Sequence, residues 1–282
     1  MPSLPLSSFA SDCGRAAEAR LVAERAGGRT ILRRQHVGYP MHVTRGFYLD
    51  TVRPDLLTLY IQSASGGLYA GDRLALEIAV EEGAALHVTT QAATVVHDAR
   101  DQVSAQHVHL SVGAGAFCAV TSDPYVLFPG AKLCLETAAV VAEDAALIFA
   151  DGFAVHDPGR TGRSFTEYAG RLRVLRPDGR ILLCDRGRID GVEACRGPLG
   201  AMTAAANLII VAPPERRPPI PDLMRAAEQV CCLLGASEAP NQAGVVMRLL
   251  APDGGILARG IEAAFHVAAR AALGAELARR RK

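Results

Sequence analysis

Half of the 282 residues are hydrophobic, enough for a sizeable core, so neither a disordered chain nor a fibre is expected. A net charge of +1, with basic and acidic residues interspersed, excludes the basic face that a nucleic-acid partner needs. The start, MPSLPLSSFASDC, has no charged segment followed by a sustained apolar one, and no later run is long and uncharged enough to span a bilayer. These features predict a soluble cytoplasmic protein without a membrane partner. Seven cysteines, with no C-x-x-C pair, give neither a disulfide framework nor a structural zinc site, and most are expected as buried thiols.

The first informative stretch is SASGGLYAGDRL, Ser63 to Leu74, followed by RLALEIAV, in which Leu74, Leu76, Ile78 and Val80 alternate with Ala75, Glu77 and Ala79. A period of two is that of a half-buried strand. ALHVTTQA and HVHLSV repeat the alternation, so His87, Thr89 and Gln91 should share one polar face, and His107 and His109 another that is expected to be solvated. The turns EEGAAL, VGAGAF and AEDAAL, at residues 81, 112 and 142, recur about every 30 residues. That spacing predicts stacked β-hairpin layers, a β-solenoid-like or sandwich-like body over about residues 30–210. Asp178 and Gly179, between two short apolar runs, signal a hairpin.

Helices are expected late, over about residues 220–282 of what reads as a single domain. Asp222 can cap one whose apolar positions run from Leu223 to Leu234, with Gly235 ending it. VVMRLLA reads as a strand. A second helix from about Ile261 carries Phe265, Ala268, Ala272 and Leu277 and ends in Arg279, Arg280, Arg281 and Lys282, cations that suit a helix C-terminus.

The glycine-rich loop is no phosphate cradle. Asp72 stands where a P-loop lysine is required, and a strand follows where a helix N-terminus is needed. Local chemistry leaves two readings, a plain strand connection in which Gly66, Gly67 and Gly71 supply positive φ, or a loop that also presents Asp72 to a ligand, and by itself favours the first. No G-x-S-x-G elbow or H-E-x-x-H pattern points to catalysis.

The run from Ser65 to His97, with its S-G-G-L-x-x-G-D and T-T-Q-A-A-T pieces, resembles the urease accessory protein D family, UreD, also called UreH. SDPYVLFPGAKL, RTGRSF and VVMRLLA follow in that family's order, so the resemblance covers most of the chain. There are departures. Tyr69 and Ala70 replace small residues, His97 stands where Tyr is frequent, Arg163 replaces a usual Glu with Glu167 nearby, and the P-R-x-W ending is missing.

The resemblance implies a mainly β scaffold of UreD type with a few helices and no catalysis of its own. It implies partners, UreF-like and UreG-like proteins and apo-urease, and nickel as an ion in transit with no tightly bound cofactor. A transit path calls for weak, dispersed oxygen and imidazole ligands, and the eight histidines form no tight cluster in the sequence. The candidate path residues are Asp72, His87, Gln91, Asp123 and Asp151, beside the motif residues Gly66, Gly67, Gly71, Thr89 and Thr90. Arg73 and Lys132 are candidate charge partners for buried aspartates. Two alternatives stand beside this reading: a polysaccharide-active β-solenoid enzyme, for which the absence of Trp is unfavourable, and a purely structural subunit.

Overall fold

The computed structural model describes residues 14–197 and 199–280. The chain opens with an antiparallel pair, β1 (Ala16–Ala26) and β2 (Arg29–Val37), then the short β3 (Met41–Val43). β4 (Leu57–Ser63), β5 (Arg73–Val80), β6 (Ala85–Thr90), β7 (Val95–Val96), β8 (Ser104–Val112), β9 (Phe117–Thr121), β10 (Tyr125–Leu127), β11 (Lys132–Val141), β12 (Ala146–Val155) and β13 (Glu167–Leu175) build the middle. β14 (Ile181–Asp190), α1 (Gly191–Arg196), β15 (Ala204–Val211), α2 (Ile220–Glu228), β16 (Leu233–Glu238), β17 (Gly244–Ala251) and α3 (Gly254–Leu273) complete it.

The stacked-layer expectation holds, with a specific topology. One sheet carries β14, β13, β11, β8, β5, β1 and β2 in that spatial order, and the other runs from β16 through β17, β15, β12, β9, β6 and β4 to β3. β5 pairs in parallel with β8, β8 with β11 and β11 with β13, while β4, β6, β9 and β12 do the same opposite. Each repeated turn crosses between the sheets, so the two strands of a layer pair with the layers above and below. Parallel neighbours require such a long crossover, here made by way of the other sheet. The turns stack too: Gly83 N–H donates to Ala114 O at 2.9 Å, and Ala142 N–H to Val112 O at 3.0 Å.

Leu76, Ile78, Val80, Leu86, Val88, Leu110 and Val112 meet between the sheets. On the other side of the second sheet, Phe117, Ala119, Ile148 and Leu208 pack against Leu257, Ile261, Ala264, Phe265 and Ala268 of α3. The second sheet is covered on both faces. That explains why His87 and Thr89, read as one polar face of β6, are buried: the face lies beneath α3.

The sequence boundaries shift in several places. Strands begin at Ala16, well before residue 30; β17 covers the VVMRLLA segment expected as a strand, whereas β16 takes residues expected at the end of a helix. Leu234 belongs to β16, because α2 ends at Glu228, and Pro219 rather than Asp222 stands at its N-cap. α3 starts at Gly254, capped by Asp253, whose carboxylate accepts from Ile256 N–H at 2.7 Å. It stops at Gly274, which adopts φ +67. The β13–β14 hairpin is present, with Gly179 at φ +88. Cys118 and Cys232 are buried, whereas Cys184 and Cys231 are exposed and Cys134 is half-buried; Cys13 lies outside the described residues.

No helix among the described residues is long and apolar enough to cross a membrane.

Candidate functional site

Two cavities flank the Thr-Thr-Gln segment. Alternation along β6 sends Thr90 to one side of the second sheet and His87 and Thr89 to the other. The larger cavity, about 580 Å³, is lined by Thr90, Gln91, Ser122, Asp123 and Gln106, with Leu74 and Leu76 behind them. The smaller, about 200 Å³, lies under α3 and is walled by His87, Thr89, Thr121, Phe265 and Arg280. Ser122 and Asp123 line both, so this turn is the partition between them. Asp123 N–H donates to Thr90 Oγ1 at 2.8 Å, which ties the partition to the Thr-Thr-Gln segment.

The glycine loop forms one lip of the larger cavity. Gly67 is buried at φ +127, and a Cβ there would collide with the carbonyl of Val95. Leu68 N–H donates to that same carbonyl at 2.8 Å. The two motifs of the sequence thus dock backbone to backbone. Tyr69 and His97, both departures from the family pattern, stack on each other at 4.3 Å between ring centroids and 8° between planes. His97 Nε2 lies 2.9 Å from Gly66 O, so this pair braces the loop.

Asp72 does not line either cavity. Buried at 1% exposure, it accepts from Arg15 N–H at 2.9 Å, Arg15 Nε at 3.1 Å and Tyr69 N–H at 2.8 Å, and forms a close ion pair with Arg15 Nη2. Burial alone would raise its pKa, but these donors hold it below the usual carboxylate range. The expected cation contact gives way to a clamp between the glycine loop and the start of β1, with Arg15 as the partner in place of Arg73. A partner 57 residues away leaves no local signal.

Asp151 stands apart from the lining. β12, β15 and β17 bring Asp151, Asn207 and Arg248 into one row across the second sheet. Asn207 Nδ2 donates to Asp151 at 2.8 Å, while Arg248 bonds Asn207 Oδ1 and pairs with Asp185 at 2.6 Å. Burial, the largest influence, pushes Asp151 up to about 6 against the Asn207 hydrogen bond. Burial, and after it the charge of Asp151, hold the Tyr125 phenol, a cavity-wall group bonded to Gln106, above its ordinary pKa.

An acid with a raised folded-state pKa binds more protons folded than unfolded. Stability therefore falls as pH rises from about 4 through about 6 and levels off beyond. Asp151→Asn is expected to be nearly neutral at about pH 4 and stabilising by roughly 1 to 3 kcal/mol at about pH 8. Urea melts at the two pH values check this, and an equal effect at both would contradict it.

Arg280 was missed at the sequence level. It is not a cation at a helix end: its side chain is 4% exposed and pairs with Asp50, whose side chain is 0% exposed, at 2.8 Å. The C-terminal carbonyls of α3 are met instead by Arg53, donating to Leu273 O at 3.2 Å, and Arg216, donating to Ala272 O at 2.8 Å. Arg280 Nε donates to His87 Nδ1 at 3.2 Å. A buried acid and a terminal arginine 230 residues apart carry no pattern that a sequence window can detect.

His107 faces Glu136 at 3.4 Å on the open face of the first sheet, as expected of a solvated strand face. Glu167 pairs with Arg188 at 2.6 Å on that same sheet, and Arg163 lies 3.9 Å from Asp98. Glu167 therefore does not replace a carboxylate in the cavities. Among the described residues, no three His, Cys, Asp or Glu side chains converge to hold a metal ion.

The profile of the UreD urease accessory protein family matches residues 15–282. The chain is 64% identical over 282 residues to urease accessory protein UreD 1 of Bradyrhizobium sp. (strain BTAi1), covering 100% of both chains. It is 63% identical over 278 residues to urease accessory protein UreD 3 of Bradyrhizobium sp. (strain ORS 278), covering 99% of each. Against UreD 1 of Methylorubrum populi the identity is 43% over 281 residues, covering 99% of this chain and 96% of that protein. A match over nearly the whole chain shows that the chain belongs to the UreD urease accessory protein family.

Proposed function

We propose that this protein is a non-catalytic scaffold for nickel insertion into apo-urease in the cytoplasm, working with UreF-like and UreG-like partners. The observation that carries the reading is the pair of cavities meeting at Ser122 and Asp123, within a chain of the UreD family. Their walls offer hydroxyl and amide oxygens, one imidazole and two carboxylates, Asp123 at the partition and Glu262 in the smaller cavity, beside the guanidinium groups of Arg259 and Arg280. A borderline cation accepts such donors, and spreading them over two compartments favours passage over retention. In this reading Gln91, Asp123 and His87 line the route, and Asp151 modulates it from behind Tyr125.

Family membership weighs against the polysaccharide-enzyme alternative. The test is co-expression of urease with its other accessory proteins, with and without this chain. Nickel content and urease activity are expected to depend on its presence, and equal values in both cases refute the proposal.

A further inference from the structure

The Asp50 carboxylate and the His87 imidazole converge on a single guanidinium. Asp50 Oδ1 lies 3.2 Å from Arg280 Nη1 and Oδ2 lies 2.8 Å from Nη2, a forked pair with almost no solvent contact. The third contact is His87 Nδ1, 3.2 Å from Arg280 Nε. An arginine Nε–H can only donate, so Nδ1 presents its lone pair and the ring proton sits on Nε2, donated to Thr121 Oγ1 at 2.8 Å. Phe265 stacks on the imidazole at 4.5 Å and fixes its plane. A buried carboxylate and an oriented imidazole lone pair, aimed at one point, are ligands for a cation. In this chain the cation is supplied by the C-terminal tail.

Among the described residues, the tail is held there by Leu277, buried at 4% exposure against the α3 core, and by a few hydrogen bonds. Beyond Gly274, which ends α3, Ala278 N–H donates to Asp50 Oδ1 at 2.6 Å and Arg280 Nη1 donates to Ala278 O at 3.0 Å. Asp50 thus holds both the guanidinium and the tail backbone. On one side of the tail is the His87 cavity, and on the other a groove lined by Phe47, Tyr60, Ala278 and Arg279.

We propose that Asp50 and His87 form a divalent-cation seat, for an ion of nickel or zinc type, that Arg280 occupies as a built-in counter-cation. Withdrawal of the tail exchanges the guanidinium for the metal at Asp50 and His87 Nδ1, with water completing the ligand set, while Thr121 keeps the proton on Nε2. Return of the tail expels the metal, because like charges exclude each other from one buried site. The idea rests on the reading of His87 as part of a cation route. Its test, however, reads metal uptake by the isolated chain, while the functional reading is tested by urease activation, so either can fail alone.

The experiment titrates Ni2+ alone into the full-length chain, its Arg280→Met variant and the Arg280→Met/Asp50→Leu double variant, by calorimetry and thermal melting. Arg280→Met is expected to bind one Ni2+ at least ten-fold more tightly than the unaltered chain and to melt higher when it is present. The double variant is expected to lose that gain. Equal affinity in Arg280→Met and the unaltered chain, or a gain that survives Asp50→Leu, overturns the proposal. If Arg280→Met folds only with Ni2+ present, the seat is supported; if Ni2+ does not rescue it, the seat is refuted. Trypsin cleavage after Arg279 or Arg280 in the unaltered chain needs no variant. Excess Ni2+ is expected to speed it several-fold, and an unchanged rate also overturns the proposal.

Discussion

Arg280→Met, in metal-free buffer, is expected to destabilise the protein by about 3 to 5 kcal/mol, the cost of leaving a buried carboxylate without its partner. The loss has two sources. Asp50 keeps the Ala278 N–H but loses the charge that offsets its desolvation, and the short tail loses its anchor over the His87 cavity. Adding Asp50→Leu is expected to recover most of the stability, since two apolar groups of similar volume replace an ion pair at little net cost. Urea melts of the single and double variants measure the coupling, and strictly additive losses would remove the basis for treating the pair as one unit.

Asp72→Ala is expected to cost about 3 to 5 kcal/mol by a different route. It leaves the backbone N–H groups of Arg15 and Tyr69 without their acceptor, each at roughly 1 to 3 kcal/mol, and breaks the pair with Arg15. Because the folded-state pKa of Asp72 lies below its ordinary value, its contribution is present above the unfolded carboxyl pKa of about 4 and is lost as pH falls through the folded value. The penalty should therefore be full at neutral pH and shrink in acid. Any loss of urease maturation should come with this loss of stability and leave the Ni2+ affinity of the folded fraction unchanged. A stable Asp72→Ala protein with weakened Ni2+ binding would instead return Asp72 to the route.

These two aspartates show where sequence reading stops. Asp72 stood out because it sits in a recognisable motif, yet its partner, Arg15, lies across the fold just before β1, and only that partner turns a candidate ligand into a clamp. Asp50 has no motif around it, and Arg280 falls in a run of cations that looks like an ordinary helix end. His87 is intermediate. Its place on the alternating face was legible, but burial of that face depends on α3 packing over the second sheet.

By itself the sequence determined what short-range physics controls: strand periodicity, the repeated turns that stack into layers, the Asp-Gly hairpin, and the exclusion of a phosphate loop. It also carried the family resemblance that the whole-chain match established. The tertiary structure decided which polar groups are buried and with whom. Crossing between two sheets makes parallel neighbours of strands about 30 residues apart, and the end of the chain returns to a residue near its beginning. The cavities and the ion pairs beside them are products of that long-range closure, which no local pattern of residues encodes.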